Sequence, residues 1–460
     1  MFKKVAIANR GAVAARLVQA LGEMGIGSVA LCSEADRDLP YVGQADHFAV
    51  IGPPPPRDSY LDHEAVIGAA LAAGAEAIHP GWGFLSEDPV FAQKAIDRGL
   101  AFIGPSPRWL RVMGDKVAAR AEMARLGLPV APSTGELAGS LDEKASEARK
   151  LGFPLMIKPS GGGGGIGMIP VEDEGTLAKA LETAESQALR GFGRGAVYAE
   201  RLLRDPRHVE FQVVADRHGG AAHLLERDCS VQRRRQKILE EAGAPGIGRE
   251  SLARMAGKAA EVLRLLGYDH LGTVETLYDA ASGFSFLEVN PRLQVEHAVT
   301  EEVTGVDLVA SQIRIAAGER VADVLGTPPA GPAGHALEAR IYAEDPVRFL
   351  PSPGRLSVFR PPSRRQGLRV LTGFAEGSAV TPFYDPMVAQ VIVSGEDRAS
   401  AIGRMAEALS EFEIAGIKTN IPFLRLMLAH GPFLEGRLGT SLAESLVASP
   451  GYRDRLEALA

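Results

Sequence analysis

The chain is short of several things that would each point to a function. Only two cysteines, Cys32 and Cys229, occur in 460 residues. They stand far apart without metal-ligand spacing, which excludes a disulfide framework and a cysteine zinc site and suits structural thiols in a reducing cytosol. Basic charge is not in excess, since 50 Lys and Arg against 57 Asp and Glu leave a net charge of −7. That balance gives no support for a nucleic-acid or membrane partner. Long hydrophobic runs are missing too, and no stretch reaches the roughly 20 apolar residues that a bilayer span needs. The apolar run after Met1-Phe2-Lys3-Lys4 is soon interrupted by Asn9-Arg10-Gly11, unlike a signal peptide. These absences predict a cytoplasmic protein. Its 46% hydrophobic content and mean hydropathy near zero predict a globular chain of about three domains with sizeable cores.

Glycine, by contrast, is concentrated. The apolar run Phe153 to Ile157 reads as a buried strand ending in Lys158, and Pro159-Ser160 leads into the run Gly161–Gly165. Apolar residues resume at Ile166, Met168 and Ile169. Each glycine carries an entropy cost of about 1 kcal/mol against alanine, so the run needs a compensating role. Glycine backbone N–H groups can cradle phosphate oxygens, with a lysine nearby as a point charge. A flexible linker would be polar on both sides, whereas this run is clamped between apolar strands as in a β-hairpin. The lysine precedes the glycines, so the pattern is not a Walker A loop, and it does not open a helix as a dinucleotide fingerprint would.

Taken in order, residues 1–110 alternate short strands with helices, at Lys4–Ala8, Ala12–Met24, Ser28–Leu31, Ala65–Ala73 and Ala77–Ile78. That pattern predicts an open parallel α/β unit. Asn9-Arg10-Gly11 closes the first strand but lacks the glycine pattern of a nucleotide loop. His79, in the loop through Glu87, reads as a structural hydrogen-bonder. Lys116 opposes the dipole at the start of the helix Val117–Leu126, which suggests that it faces an anion. Residues 128–203 form a small α+β segment carrying the glycines, and the strand Val197–Leu203 could line an adenine pocket at its exit. The alternation from His208 to Val213 puts His208, Glu210 and Gln212 on one face and apolar residues on the other. That polar face is either solvated or functional. From Arg233 to Lys237 four positive charges fall in five residues, followed by Glu240-Glu241. They form either a charged surface loop or an anion site for phosphate or bicarbonate.

The sharpest pattern is the hairpin Gly272–Tyr278 and Phe284–Asn290 around a Ser-Gly turn. If Asp279 pairs with Phe284, Glu275 falls opposite Glu288. Like charges facing across a ladder destabilise a sheet, and a divalent cation between them removes the penalty. Beyond Glu288 the alternation continues through Asn290, Arg292, Gln294 and Glu296. Pro291 argues against a central strand there, which leaves an edge or an extended loop.

At these residues the chain resembles the biotin carboxylases, of the ATP-grasp superfamily. The resemblance rests on Ile7–Gly11, His79–Glu87, Met113–Lys116, the glycine run, Pro206–Glu210, Glu226–Ser230, Glu288–His297, Gly334–Arg340 with Ala343–Pro346, and Tyr384–Met387. It covers Lys4 to Asn420. It implies a Rossmann-like N-terminal domain over 1–112 with an open parallel sheet. An ATP-grasp domain over 113–330 follows, with a mobile glycine-flap subdomain at about 130–203, and then a C-terminal α+β domain over 331–445.

The resemblance further implies that Lys116, Lys158 and Gly161, Gly162, Gly163, Gly164 and Gly165 hold ATP phosphates. Glu200 and Leu203 would meet adenine, with His208 and Gln232 near the ribose. Glu275, Glu288 and Asn290 would bind Mg²⁺ or Mn²⁺. Lys237, Arg292, Gln294 and the Val295 backbone would hold bicarbonate, Glu296 would be the general base, and Arg340 would stabilise the biotin enolate.

Several positions depart from the family pattern. Ala12, Trp82, Ala298 and Gln390 stand where Glu, Tyr, Pro and Lys are usual, and Ile166 and Arg235 where Arg and His or Asn are usual. Ile166 together with Glu301–Gly305 leans toward the urea-carboxylase branch. No biotinyl-lysine motif occurs, so biotin should arrive on a separate carrier protein, with the carboxyltransferase on another subunit, as in an acetyl-CoA or acyl-CoA carboxylase. The resemblance also implies a homodimer. Two other readings stay open: another ATP-grasp ligase working through an acyl phosphate, and a non-catalytic nucleotide-sensing paralogue prompted by Ile166 and Arg235. Arg340 and the intact Arg292–Glu296 run favour biotin over the former.

Overall fold

A computed structural model describes residues 1–161 and 167–459. The N-terminal strands β1 (Lys4–Ile7), β2 (Gly27–Cys32), β3 (His47–Val50), β4 (Ala77–His79) and β5 (Ala101–Phe102) form a parallel sheet in the order β3-β2-β1-β4-β5. Helices cover both faces, so Val5, Ala6 and Ile7 are completely buried and the strand reads as a continuous apolar run. Asp62 and Asp88 cap the N-termini of two of these helices by accepting backbone N–H bonds.

The loops after β1 and β4 meet where the strand order reverses, the usual ligand position of such a sheet. Here they bind each other. Asn9 Nδ2 donates to the carbonyls of Pro80 and Trp82 at 2.6 and 2.7 Å. Arg10 pairs with Asp36 at 2.6 Å and lies 4.3 Å over the Tyr384 ring. A Cβ on Gly373 would stand 2.5 Å from the Gly11 carbonyl carbon, so glycine is needed for this C-terminal loop to dock there. His79 is fully buried, accepts the Gly81 N–H at Nδ1, and burial holds its imidazole down to about 3. It is the structural residue that its setting predicts.

The flap subdomain is an antiparallel sheet of β6 (Leu155–Pro159), β7 (Ile169–Val171) and β8 (Val197–Arg201), in the order β7-β6-β8. Leu155 faces Val171, so the glycine-bearing segment does connect the two strands of a hairpin. Gly162, Gly163, Gly164, Gly165 and Ile166 lie outside the described residues, and Gly161 is half-buried.

The central sheet comprises β9 (Arg207–Ala215), β10 (Ala221–Arg233), β11 (Gln236–Ala242), β12 (Leu271–Asp279), β13 (Gly283–Asn290) and β14 (His335–Tyr342), joined by Met387–Gly395 and Leu368–Leu371. Its eight strands are antiparallel and run β13-β12-β9-β10-β11-β14, then those last two strands. The C-terminal strands thus extend the central sheet across the β11–β14 ladder. Val209, Phe211 and Val213 of β9 pack with Leu252, Met255, Ala259 and Leu263 of the helix Arg249–Leu266. That packing fixes which face of β9 is apolar. His208, Glu210 and Gln212 therefore point to the opposite face, where they too are buried rather than solvated.

Candidate active site

The site grows from the register of the central sheet. The β12–β13 hairpin starts one residue away from simple counting, with Tyr278 opposite Phe284. An irregularity between Glu275 and Thr276 restores the count, and Glu275 stands opposite Glu288 as the spacing predicts. Glu275 also faces Glu210 on β9, and Glu210 faces Arg227 on β10. One cross-strand row thus reads Arg227, Glu210, Glu275, Glu288. Three carboxylates in a row against one guanidinium repel each other, and further cations are needed to hold them.

Lys237, near the start of β11, supplies the central one. Its Nζ lies 2.6 Å from Glu210, 2.8 Å from Glu275 and 2.7 Å from Glu296. Burial alone would neutralise this lysine, but the three carboxylates hold it protonated, with its pKa well above the usual value. Arg227, completely buried, donates from Nε to Glu210 at 2.6 Å and from Nη1 to Gln212 and Thr300 at 2.8 and 2.9 Å. At the other end Lys116 lies 2.7 Å from Glu288. The expectation that this helix-start lysine faces an anion is met by a carboxylate. Burial would lower its pKa, and Glu288 raises it instead.

The run after Glu288 leaves the sheet at Asn290 and becomes a loop, and Glu296 sits at the N-cap position of the helix His297–Thr304. The side chains converge although no strand orders them. Arg292 bonds Glu87 at 2.6 Å, Gln294 Oε1 at 2.7 Å and Asn290 Oδ1 at 3.3 Å. Gln294 Nε2 donates to Glu275 at 3.2 Å. Glu296, buried, receives Lys237 on Oε1 and Arg340 on Oε2 at 2.8 Å. Burial would raise its pKa, but Lys237, Arg340 and Arg227 outweigh that and hold it far below the usual carboxylate range. Glu275 is likewise held low, mainly by Lys237 and His208, against its burial. The Val295 carbonyl accepts from Gln390 Nε2 at 2.9 Å.

The flap side carries a second buried set. Lys158 Nζ and Arg120 Nη1 both donate to Glu200 Oε2, at 3.0 and 3.2 Å. Arg120 also reaches the Phe286 carbonyl of β13, and the Lys116 N–H meets the Ser160 carbonyl, which ties the flap sheet to the hairpin. Gln232 Nε2 lies 3.0 Å from His208 Nδ1, and His208 Nε2 is 3.3 Å from Glu275. Leu203 stands half-buried just past β8. The basic run is divided between sites: Arg233 pairs with Glu344 at 2.7 Å, Arg234 and Arg235 make the β10–β11 turn with positive φ, and Lys237 reaches Glu210, Glu275 and Glu296.

Glu275, Glu288 and Asn290 offer hard oxygen donors, which fit Mg²⁺ or Mn²⁺. Among the described residues, ligand atoms of His208, Glu210 and Glu275 also lie within 4.8 Å of one another, but Lys237 already occupies that group. Sequence reasoning did not single out Glu210 and Arg227 as charge partners, nor Glu240, Glu338 and Gln390 beside Arg340. The alternation of Leu337-Glu338-Ala339-Arg340 in a buried strand was the available signal.

Comparisons with known proteins agree along the chain. The family model described as "Biotin carboxylase, N-terminal domain" matches residues 1–110. "Carbamoyl-phosphate synthase L chain, ATP binding domain" matches 115–324 and "Biotin carboxylase C-terminal domain" matches 338–445. A biotin carboxylase of Halalkalibacterium halodurans is 47% identical over 96% of this chain and 97% of its own length. The Campylobacter jejuni biotin carboxylase, solved as a β-γ-ATP complex, superposes with a TM-score of 0.93 at 39% identity, covering 97% of this chain and 99% of that one. The biotin carboxylase domain dimer of Hydrogenobacter thermophilus 2-oxoglutarate carboxylase was solved with MgADP, ADP and bicarbonate. It gives a TM-score of 0.92 at 38% identity over 98% of both chains.

Proposed function

The chain belongs to the biotin carboxylase family, and from that premise we propose how its buried carboxylates and cations carboxylate biotin with ATP and bicarbonate. It is an ATP-dependent ligase of the ATP-grasp kind. The single observation that carries the assignment of roles is Glu296, buried and anionic between Lys237 and Arg340.

Lys237 and Arg292 attract bicarbonate, and Gln294 and the Val295 backbone orient it. An incoming anion competes for the cations that hold Glu296, which raises the basicity of that carboxylate where a base is required. Glu296 then takes the bicarbonate proton as a bicarbonate oxygen attacks the γ-phosphorus, giving carboxyphosphate and ADP. Lys116, Lys158 and the run Gly161–Gly165 hold the phosphates against the charge that builds there. Glu275, Glu288 and Asn290 would hold Mg²⁺ or Mn²⁺, which when bound neutralises phosphate oxygens. Glu200 and Leu203 contact adenine, and His208 and Gln232 the ribose. Carboxyphosphate breaks down to CO₂ and phosphate, the phosphate removes the N1′ proton of biotin, and N1′ attacks CO₂. Arg340 stabilises the negative charge on the ureido oxygen. Closure of the flap subdomain over ATP would exclude the water that hydrolyses carboxyphosphate.

Biotin comes on a separate carrier protein, and a carboxyltransferase subunit chooses the acceptor. A homodimer is the assembly we propose, as in the Hydrogenobacter domain dimer. The chain divides into functional units at 1–112, 113–330 and 331–445. The test is ATP hydrolysis by the purified chain with Mg²⁺, with and without bicarbonate and free biotin. Bicarbonate-dependent turnover that biotin stimulates and that Glu296→Ala abolishes is the expected result. ATP binding without such turnover would overturn the assignment.

A further inference from the structure

A second pair of glutamates faces across a ladder in this sheet, and no function assigned above uses it. Glu240 on β11 stands directly opposite Glu338 on β14, and both are completely buried. Arg340 Nε lies 2.6 Å from Glu240 Oε1 while Nη2 reaches Glu296 at 2.8 Å, so one guanidinium spans both carboxylates. Gln390, across the next ladder, donates Nε2 to Glu338 Oε1 at 2.6 Å. Among the described residues no donor bonds Glu338 Oε2, Gln390 Oε1 or either Glu240 oxygen in good geometry, although all are buried.

The charges around the pair do not balance. The cations facing it are Arg340 and Lys237, and Lys237 is already shared by Glu210, Glu275 and Glu296. Glu296 adds a third negative charge, Cys229 and Tyr342 are neutral neighbours, and Gln390 brings no charge from the far strand. Two facing carboxylates in a dry, fully buried ladder cannot both ionise against one shared guanidinium. A single proton resolves both problems, because it removes one charge and supplies a donor to the unbonded acceptors.

We infer that Glu240 and Glu338 share one proton and act as a buried anchor for Arg340, fixing its guanidinium between the pair and Glu296. They are positioning residues that act through Arg340. The relevance to biotin rests on the role proposed for Arg340, whereas the proton itself does not. Burial pushes the Glu240 carboxyl up to about 7, and burial with the charge of Glu240 pushes Glu338 well above the ordinary range.

Two measurements on the full-length chain test the proton without using turnover. Infrared difference spectra of wild type against Glu338→Gln should show a deuterium-sensitive carboxylic C=O band that the variant lacks. The melting temperature of Glu338→Gln relative to wild type should rise with pH, between the unfolded carboxyl value of about 4.3 and neutrality. The sign follows because the native wild type retains a proton that its unfolded chain releases. A missing band, together with a melting difference flat or falling over that range, overturns the shared proton. Removing both charges in the double variant Glu240→Gln/Glu338→Gln should raise the KM for biotin about tenfold, more than either single variant. If the proton is found but the double variant leaves that KM unmoved, the anchoring role is overturned while the function proposed above stands.

Discussion

Two pairs of glutamates face each other across ladders of one sheet, Glu275 with Glu288 and Glu240 with Glu338, and their surroundings differ in exposure and in the cations beside them. The first pair lies at an open end, where the Glu288 side chain is 23% exposed beside Lys116. The second lies in the middle of the sheet, completely buried, beneath strands from both sides. Solvent reaches the first pair through Glu288, although Glu275 is buried, and reaches neither member of the second. With the roles proposed above, the same local repulsion would have two solutions, a metal at the pair that water can reach and a proton at the pair that it cannot. Facing glutamates do not by themselves specify a metal site; exposure decides.

Replacing both members of the open pair is the strongest way to break the comparison. Glu275→Gln/Glu288→Gln should lower Mg²⁺-supported ATP turnover by about 10³-fold or more, measured at saturating ATP, while circular dichroism stays that of wild type. At the buried pair the decisive partner is the cation. Arg340→Ala leaves Glu240, Glu338 and Glu296 together without it and should cost about 3–5 kcal/mol in urea unfolding, besides its effect on turnover.

A smaller change sharpens the contrast. Gln390→Lys places a cation against Glu338 and should let that carboxyl ionise, which removes the carboxylic infrared band and flattens the pH dependence of stability between pH 5 and 7. Smallest is Lys116→Met at the open end. Its partner Glu288 is partly solvated, so equilibrium unfolding should change by no more than about 1 kcal/mol, while the KM for ATP rises.

The two pairs also show what the sequence could reveal. Glu275 and Glu288 were legible because one short hairpin joins them, and counting back from its turn gives their register. The count survived a start that was one residue off because the irregularity at Thr276 absorbed the error. Glu240 and Glu338 lie on strands that meet only through tertiary structure, and in the sequence Glu240-Glu241 merely follow a basic run whose role stayed open. In fact Glu241 pairs with His335 and Arg398, while Glu240 meets Arg340. That basic run looked like one site and serves three, because a hairpin turn sends Arg233 and Lys237 apart. The polar face of β9 was ambiguous for a physical reason: alternation marks two faces, but only the helix Arg249–Leu266 on one side and the Arg227–Lys237 charges on the other show that both are buried. Strands β1, β2 and β4 of the parallel N-terminal sheet were the easiest to read, since burial on both faces makes them continuous apolar runs, whereas the largely exposed edge strand β3 was not singled out. The glycine run marked its hairpin through its flanking strands alone.

The most direct test of the contrast is Mn²⁺ binding, followed by electron paramagnetic resonance in the presence of a non-hydrolysable ATP analogue, in wild type, Glu288→Gln and Glu338→Gln. The account predicts that Glu288→Gln weakens Mn²⁺ binding at least about tenfold while Glu338→Gln binds it as wild type does. Equal weakening in both variants, or in neither, would contradict it.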